Sequence, residues 1–326
     1  MARVLVTSRL AVKSLDTTWR DLLEQAGHEV VIAQVPQEQM YPTEEQLKDL
    51  LQGITATVAS SESYTRAVFE SAPELRVVSR VGVGYDAIDT AAAADHDVVA
   101  MIAAGSNDTT VAESAVAMIL ALARELYAYI TNTAEGDWSR GLMNEIRDKT
   151  IGVVGLGRIG KSVVRRLAGF DPVLIAAEPY PDQEFVAQYG IELVEIDDLF
   201  RRADYVTLHV NTTPDTVNFV NERRLGLMKP TAYLVNTARG GLVDEDALYA
   251  ALTQGVIAGA ALDVRAKEPP SDHRLAQLPN VIATPHVAGI STDCVVRMAD
   301  LAAQNIVDVL QGSWRREMVV NGLYSD

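Results

Sequence analysis

Residues Ile151–Gly160, which read IGVVGLGRIG, decide the fold of this chain. The first four residues are apolar and mostly β-branched, which predicts a buried strand, and the amphipathic residues that follow predict a helix through Leu167. Gly155 permits the tight turn between them, Gly157 lets the backbone approach a pyrophosphate, and Gly160 allows the helix to pack on the strand. The pattern therefore predicts a dinucleotide-binding βαβ unit rather than a turn that only packs.

An acidic residue lies where such a unit needs one. Glu178 stands 18 residues after Gly160, at the end of a predicted strand over Val173–Ala177. Its carboxylate can accept hydrogen bonds from both ribose hydroxyls of a dinucleotide, whereas the 2′-phosphate of NADP would meet a like charge. The sequence therefore predicts NAD as the cofactor. The alternative is an ordinary solvated acid at the end of a strand.

Short β-branched runs alternate with amphipathic stretches along the chain, which is typical of βα units on parallel sheets. The first set of predicted strands is Val4–Val6, Val30–Ile32, Thr57–Ala59, Val77–Val78 and Val98–Ala100, and the second is Ile151–Val154, Val173–Ile175, Tyr205–Leu208, Tyr233–Val235, Ala260–Leu262 and Val281–Ala283. The two sets predict an α/β protein with two doubly wound parallel-sheet domains. We expect a Rossmann domain, residues 104–286, inserted into a flavodoxin-like domain formed by residues 1–103 and 287–326.

Capping and stop signals predict the helices. In the first domain they are Thr17–Gln25, Thr43–Leu51 (which opens with a capping box), Tyr64–Glu70 and Thr90–Asp95. A helix predicted over Val111–Tyr129 joins the two sets of strands; it is apolar nearly all round, so we expect it to be buried between domains or subunits. The last long helix, Thr292–Leu310, is expected to return to the first domain with the tail to Asp326.

Composition disfavours several classes of function. The 326 residues include 28 Lys and Arg against 44 Asp and Glu, and the net charge of −16 disfavours binding to a nucleic-acid backbone. Cys294 is the only cysteine, so no disulfide framework or thiolate metal cluster is expected. No apolar run approaches the ~20 residues of a membrane span. We expect a cytoplasmic protein with no nucleic-acid, membrane or metal partner.

Three polar side chains lie on turns just beyond predicted strands, at the edge where open α/β sheets bind ligands. Arg239 has a planar guanidinium that can hold a carboxylate through two bonds and polarise the neighbouring carbonyl. His286 titrates in a range suited to giving and taking a proton. Glu268, if it contacts the other imidazole nitrogen, would fix the tautomer and favour the charged ring. Together they predict acid–base chemistry on a 2-keto acid beside hydride transfer; the alternatives are a surface ion-pair partner, a structural histidine and a solvated loop acid.

These motifs resemble those of the D-isomer-specific 2-hydroxyacid dehydrogenase family, and phosphoglycerate dehydrogenase-like members in particular. The motifs that carry the resemblance are RVGVGYD at 80–86, VAE at 111–113, the glycine motif at 155–160, NTARGGLVD at 236–244 and TPHVAG at 284–289. NTARGGLVD is the most specific of them, and together they span most of the chain. The resemblance implies that Arg239, Glu268 and His286 form the catalytic set.

The resemblance also implies ligand contacts and an assembly. The residues implied at the cofactor are Thr109, Gly155, Gly157, Arg158, Ile159, Gly160, Glu178, His209, Thr216, Thr237, Ala238 and Asp263. Those implied at the substrate are Arg80, Gly82, Val83 and Gly84, of which the last three form a cradle of backbone amides for the carboxylate. Family members are commonly dimers joined through the cofactor domain, so we expect a homodimer.

Some positions depart from the family's pattern. Residues 209–211 read HVN where many relatives read HVP, which predicts a more polar wall around the adenine or ribose. Residues 59–61 read ASS and lack the basic side chain that phosphoglycerate enzymes tend to have there, so Arg80 alone offers little charge for a phosphate. We therefore expect NAD-dependent interconversion of a small D-2-hydroxy acid and its 2-keto acid. The alternatives are NADPH-linked glyoxylate or hydroxypyruvate reduction, and a non-catalytic NADH-sensing protein like the corepressor relatives of this fold.

Overall fold

The chain separates into two units, one formed by Met1–Asn107 with Ile290–Asp326 and the other by Asp108–Gly289. The computed structural model describes residues 1–36 and 38–324, so Gln37 and the last two residues of the predicted tail, Ser325 and Asp326, lie outside the described residues. The boundaries expected from the sequence, after residues 103 and 286, fall a few residues earlier. Every helix in the described part of the chain is too short or too polar to span a bilayer.

The first unit is built on a five-stranded parallel sheet in the order β2-β1-β3-β4-β5. Its strands are β1 (Arg3–Val6), β2 (Glu29–Ile32), β3 (Ala56–Ala59), β4 (Val77–Arg80) and β5 (Val99–Ile102), and its first five helices are α1 (Arg9–Lys13), α2 (Thr18–Gln25), α3 (Glu44–Leu50), α4 (Arg66–Ser71) and α5 (Thr90–Asp95). This strand order is that of a flavodoxin-like doubly wound sheet, which confirms the predicted fold class for this unit. The short helix α1 is an addition to the predicted set.

Local signals in the sequence set the helix starts and the core of this unit. The hydroxyl of Thr43 accepts from the N–H of Gln46 (3.3 Å), and Oε1 of Gln46 accepts from the N–H of Thr43 (2.8 Å). This confirms the predicted capping box. The three consecutive residues Val4–Val6 are all buried, as expected for a parallel strand covered on both faces.

The second unit is built on a seven-stranded parallel sheet in the order β12-β11-β10-β9-β6-β7-β8. Its strands are β6 (Thr150–Val154), β7 (Val173–Ala177), β8 (Glu192–Leu193), β9 (Tyr205–Leu208), β10 (Tyr233–Asn236), β11 (Gly259–Leu262) and β12 (Val281–Ala283), and its helices are α6 (Asp108–Ala123), α7 (Leu126–Ala134), α8 (Arg158–Leu167), α9 (Gln183–Tyr189), α10 (Ile196–Arg202), α11 (Glu222–Leu225) and α12 (Glu245–Thr253). The order is that of a Rossmann sheet with one added strand, which confirms the predicted class. The prediction of six strands was one short: both residues of β8 are exposed, so this strand has no apolar run to reveal it.

The single helix predicted over Val111–Tyr129 was wrong. The structure has two helices there, separated by Glu125, whose φ of 46° is left-handed and ends the regular helix. Most of α6 is buried, as predicted, whereas no residue of α7 is buried. The large apolar side chains Leu126, Tyr127 and Ile130 are 46%, 51% and 68% exposed. The apolar stretch 111–129 therefore contains parts of two helices with different surroundings: α6 is mostly buried, and α7 has no buried residue.

The last long helix, α13 (Thr292–Leu310), belongs to the first unit, as predicted. It packs along α2 and across β3, β4 and β5. Its buried residues Met298, Ala302 and Ile306 share one hydrophobic core with Trp19 and Leu23 of α2. The chain thus leaves the first unit after β5 and comes back to complete its core.

Candidate active site

The predicted cofactor and catalytic residues of the second unit cluster at one edge of its sheet. The glycine loop follows β6, His209 follows β9 and the loop with Arg239 follows β10, while Asp263 and the loop with His286 follow β11 and β12. In a parallel sheet the carboxyl ends of neighbouring strands meet at the same edge. The strand order reverses between β6 and β9, and this is where open α/β sheets bind their ligands.

The three glycines of the loop after β6 are needed for different reasons. Gly155 has a φ of +91°, and a Cβ there would lie 2.8 Å from the carbonyl oxygen of His209. At Gly160 a Cβ would lie 2.0 Å from the carbonyl oxygen of Gly155, so the start of α8 packs directly on the loop. At Gly157 a Cβ would meet no described atom within 4 Å. The loop is therefore closed on the protein side and open above Gly157, where a pyrophosphate could approach.

Glu178 ties the glycine loop to the end of β7. Its Oε2 accepts from the N–H of Leu156 (2.8 Å), and its Oε1 accepts from the N–H of Tyr180 (3.0 Å). A carboxylate has about four lone-pair sites, so these two bonds leave capacity for ribose hydroxyls. The predicted ribose contact is compatible with this arrangement, which gives Glu178 a structural role as well.

Two buried polar atoms just after β9 and β10 have no hydrogen-bond partner in the described part of the chain. Among the described residues, neither Oγ1 of Thr237 nor Nδ1 of His209 has a hydrogen-bond partner, although Nε2 of His209 lies 2.9 Å from Oγ1 of Thr207. Burial lowers the pKa of His209 to about 3, so its imidazole is neutral at physiological pH and is unsuited to proton transfer. Buried polar atoms are normally satisfied, so these atoms fit a site that a polar ligand completes. The residues present thus fit a dinucleotide.

The remaining predicted cofactor residues lie on helix starts and turns. Thr109 is in the first turn of α6, and Arg158 and Ile159 open α8. The hydroxyl of Thr216 bonds to the backbone of its own turn. Ala238 precedes Arg239, and its N–H is held by the side chain at the end of β10. Their contacts with a cofactor stay predictions.

A hydrogen bond between His286 and Glu268 is the central feature of the catalytic residues. Nδ1 of His286 donates to Oε2 of Glu268 (2.6 Å), so Nε2 is the imidazole nitrogen left for a substrate. The φ of His286 is 56°, in the left-handed region that side chains rarely adopt. Its backbone N–H donates to the carbonyl oxygen of Asp263 (2.8 Å). Strained backbone of this kind persists only where the surroundings hold it, and it is frequent at functional sites.

The side chain of Asp263 holds the loop that carries His286. This buried carboxylate accepts three bonds: Oδ1 from the hydroxyl of Thr284 (2.5 Å) and the N–H of Val287 (2.8 Å), and Oδ2 from the N–H of Ala288 (2.8 Å). The family resemblance placed Asp263 at the cofactor. Its bonds in the structure show that it also fixes the backbone on both sides of His286.

Arg239 lies half-buried on a loop that is braced by Asn236. Oδ1 of Asn236 accepts from the N–H of Ala238 (3.0 Å), and Nδ2 donates to the carbonyl oxygen of Arg239 (2.8 Å). A Cβ on Gly240 would lie 1.9 Å from the carbonyl carbon of Arg265, so this loop touches the turn that leads to Glu268. Sequence reasoning missed Asn236. The signal was an asparagine at the end of a strand, where its side chain commonly bonds the turn that follows.

Charge determines the protonation state of Glu268. Burial raises the pKa of this carboxyl, but the bond from His286, the bond from the N–H of Arg265 and the positive charge of Arg239 together outweigh burial and lower it below its ordinary value. Glu268 is therefore ionised at neutral pH. An ionised acceptor beside His286 stabilises a charged imidazole and fixes which nitrogen faces away from it.

The predicted substrate residues lie in the first unit, at the end of β4. Nη2 of Arg80 donates to Oγ of Ser61 (2.7 Å), and a Cβ on Gly82 would lie 1.9 Å from Nη1 of Arg80. Only glycine lets the guanidinium pack over this loop. Val83 and Gly84 follow it and are partly buried. In the described part of the chain, no group of three or more His, Cys, Asp or Glu side chains is arranged to hold a metal ion.

Comparison with known proteins identifies the family of this chain. Residues 116–288 match the family model described as D-isomer specific 2-hydroxyacid dehydrogenase, NAD binding domain. Over 322 residues the chain is 37% identical to the D-3-phosphoglycerate dehydrogenase of Methanocaldococcus jannaschii, a match that covers 98% of this chain and 59% of the relative. Over 252 residues it is 38% identical to the glyoxylate reductase of Korarchaeum cryptofilum, which covers 75% of this chain and 76% of the relative.

Among solved structures, the NAD-dependent formate dehydrogenase of Staphylococcus aureus in complex with NAD superposes with a TM-score of 0.84 at 30% identity, covering 100% of both chains. The chain spans less than three fifths of the length of the phosphoglycerate dehydrogenases that it matches, at 59% and 57%. The family match confirms the prediction of a nicotinamide dinucleotide cofactor. The chain therefore belongs to the D-isomer specific 2-hydroxyacid dehydrogenase family.

Proposed function

We propose that this chain is an NAD-dependent oxidoreductase that interconverts a small D-2-hydroxy acid and its 2-keto acid. The observation that carries the proposal is the 2.6 Å hydrogen bond between His286 and Glu268, in the same unit as the glycine loop. A histidine paired with an ionised carboxylate is equipped to move a proton to and from a carbonyl oxygen. Two similar proteins are named D-3-phosphoglycerate dehydrogenase and glyoxylate reductase, and these names support this class of substrate.

Each catalytic side chain has a separate role in this proposal. Arg239 binds the substrate carboxylate and polarises the neighbouring carbonyl. His286 donates the proton on Nε2 to the carbonyl oxygen during reduction and accepts it during oxidation. Glu268 stays ionised and stabilises the charged imidazole. When bound, the nicotinamide ring supplies the hydride in reduction and accepts it in oxidation.

The second unit carries the residues that would hold the cofactor. The backbone of residues 155–160 and the start of α8 would hold the pyrophosphate, and Glu178 the ribose hydroxyls. Further contacts would come from Thr109, Arg158, Ile159, His209, Thr216, Thr237, Ala238 and Asp263. In the first unit, Arg80 and residues 82–84 would bind the substrate. The acid at position 178 favours NAD over NADP.

The substrate is proposed to lack a phosphate. Nη2 of the Arg80 guanidinium already donates to Oγ of Ser61, and the neighbouring residues 59–61 add no cation. One cation provides little charge for a phosphate dianion, whereas it suffices for a small polar side chain. A second candidate, NADPH-linked reduction of glyoxylate or hydroxypyruvate, is favoured by the similarity to the Korarchaeum cryptofilum glyoxylate reductase.

The exposed apolar side chains of α7 support a homodimer. Leu126, Tyr127 and Ile130 keep 46%, 51% and 68% of their surface exposed within the chain, and exposed apolar side chains of this kind commonly mark a protein contact. We therefore propose that a second copy of the chain covers α7. Sedimentation at micromolar concentration should give the mass of a dimer, and a monomer that carries full activity would contradict the assignment.

A panel of 2-keto acids tests the activity. NADH oxidation should be fastest with a small unphosphorylated acid such as glyoxylate, hydroxypyruvate or pyruvate, and slower with phosphohydroxypyruvate or with NADPH as the donor. His286→Ala should lower kcat by about 10²-fold to 10⁴-fold, the usual contribution of a general acid, while NADH still binds. Tight NADH binding without turnover on any acid would instead support an NADH-sensing protein, and faster turnover with NADPH would support the second candidate.

A further inference from the structure

The turn that carries Glu268 is oriented by its neighbour Arg265. The backbone N–H of Arg265 donates to Oε1 of Glu268 (2.9 Å), while Oε2 accepts from Nδ1 of His286 (2.6 Å). Each carboxylate oxygen of Glu268 thus accepts one hydrogen bond, one from Arg265 and the other from His286. The position of Arg265 therefore determines how the carboxylate faces the imidazole.

The side chain of Arg265 is anchored by an ion pair with Glu245. Nε and Nη2 of Arg265 donate to Oε1 and Oε2 of Glu245 at 2.9 and 2.8 Å, and the N–H of Ala266 donates to Oε1 at 2.8 Å. The side chain of Arg265 is 10% exposed and that of Glu245 is 24% exposed. A two-bond pair shielded from water holds a more definite geometry than a solvated pair does.

Glu245 connects this pair to the loop of Arg239. It is the first residue of α12, which follows that loop directly, and Gly240 packs against the backbone of Arg265 and Ala266. A Cβ on Gly240 would lie 2.3 Å from the backbone nitrogen of Ala266. The ion pair and this backbone contact together join the loop of Arg239 to the turn of Glu268.

We propose that Arg265 and Glu245 are positioning residues whose ion pair holds the Glu268 carboxylate against His286. The inference rests on the proposed catalytic roles of Glu268 and His286. Neither Arg265 nor Glu245 contacts reacting atoms; both act through Glu268. Asp272 and Arg274 also act electrostatically on Arg265, and His286 and Arg239 act on Glu268.

A neighbouring ion pair offers a matched control. Arg274 pairs with Asp246, the next residue of α12, so this pair also joins the helix to the segment after β11. It is more exposed, with 39% of the Arg274 side chain and 84% of the Asp246 side chain accessible. Among the described contacts, neither group bonds to Glu268. Arg274→Met removes this pair and the 2.8 Å contact of Nε with Asp272, and it leaves in place the two hydrogen bonds to the Glu268 carboxylate and the Arg265–Glu245 pair.

The test compares Arg265→Met, Arg265→Lys and Glu245→Gln with Arg274→Met in the full chain. For a keto acid that the wild type reduces, Arg265→Met and Glu245→Gln should lower kcat by about 10-fold to 100-fold, because a shift of about 1 Å in a catalytic group can cost about 100-fold. The KM for NADH should not change, and the pH profile of kcat should take the shape of the Glu268→Gln profile. Arg265→Lys should restore part of the rate, since lysine keeps the charge but not the fork.

Two results would overturn the proposal: wild-type kcat and pH profile in Arg265→Met and Glu245→Gln, or an equal loss in Arg274→Met. If Arg265→Met does not fold, Glu245→Gln and Arg265→Lys decide, because they change the least volume. If the wild type reduces no keto acid, the proposed function fails, and NMR tests the positioning separately. The Nδ1–H resonance of His286 should then shift in Glu245→Gln but not in Arg274→Met, and an unchanged resonance would overturn the inference.

Discussion

Two glutamates, one in each unit, are both raised in pKa by burial, yet their pKa values end on opposite sides of the ordinary value. Glu62 follows β3 in the first unit and is almost fully buried. It accepts from the hydroxyl of Thr7 and the N–H of Ser60 (3.1 Å), and the hydroxyl of Tyr64 lies 3.3 Å away. Burial raises the pKa of Glu62, and these neutral donors lower it too little to compensate. The pKa of the Glu62 carboxyl therefore lies above the ordinary value.

Glu268 in the second unit is also partly buried, but its pKa lies below the ordinary value. Burial raises that pKa, whereas the bond from His286 and the charge of Arg239 contribute to lowering it. The difference between the two glutamates shows that the charge of the partners, and not depth alone, decides the direction of the pKa shift. Of the two glutamates, only Glu268 bonds to an imidazole, and its lowered pKa lets it stabilise a charged ring there.

The largest expected contrast is catalytic. Glu268→Gln removes the charge beside His286 and should lower kcat for reduction by about 100-fold, within the range for acid–base groups. Glu62→Gln, in the other unit, should retain most of the wild-type kcat. Steady-state rates with NADH and the best keto acid measure both variants. A similar loss of kcat in the two variants would show that the different partners of the two glutamates do not affect catalysis.

A third glutamate sharpens the comparison, because Glu178 is held by backbone N–H groups and is partly exposed. Glu178→Ala should lower the preference for NADH over NADPH by about tenfold, equivalent to about 1.4 kcal/mol, since the charge that opposes a 2′-phosphate is lost. The ratio of kcat/KM for the two cofactors measures the effect. Glu184→Ala, an exposed acid on α9, is the matched control and should keep the wild-type ratio.

The smallest expected effect is on stability. Because its pKa is raised, the contribution of Glu62 to the free energy of unfolding is full below its unfolded-state pKa and is lost as the pH rises through the folded-state value. Glu268, with a lowered pKa, contributes above its unfolded-state pKa and loses that contribution as the pH falls through the folded-state value.

Urea unfolding between about pH 2 and pH 8 measures this difference, since an ordinary glutamate titrates at about pH 4, the Glu268 window lies below that value and the Glu62 window lies above it. Relative to the wild type, Glu62→Gln should gain stability on the order of 1 kcal/mol as the pH rises. Glu268→Gln should show the opposite trend, with its loss largest at neutral pH. Parallel curves for the two variants would contradict the assigned signs.

Features with strong local signals were predictable from the sequence. The glycine loop after β6 and the helix Thr292–Leu310 depend on residue patterns that specify a backbone conformation directly. The strand Glu192–Leu193 was not predictable, because its exposed side chains contain no apolar run and pairing with β7 alone defines it. The break at Glu125 was missed for a related reason: apolar residues continue on both sides of it, although only α6 has a core to join.

The candidate site likewise has features that were predictable from the sequence and features that were not. The sequence alone determined the residue types, the turns that carry them and the family, because Arg239 and His286 lie in recognisable motifs and Glu268 lies on a turn beyond a predicted strand. Only the tertiary structure decided their partners. The bonds from Asp263 to residues 284–288 and from Arg265 to Glu245 join segments 20 to 25 residues apart in the chain. Such contacts depend on how the parallel strands align at one edge of the sheet, and a local pattern of residues does not specify that alignment.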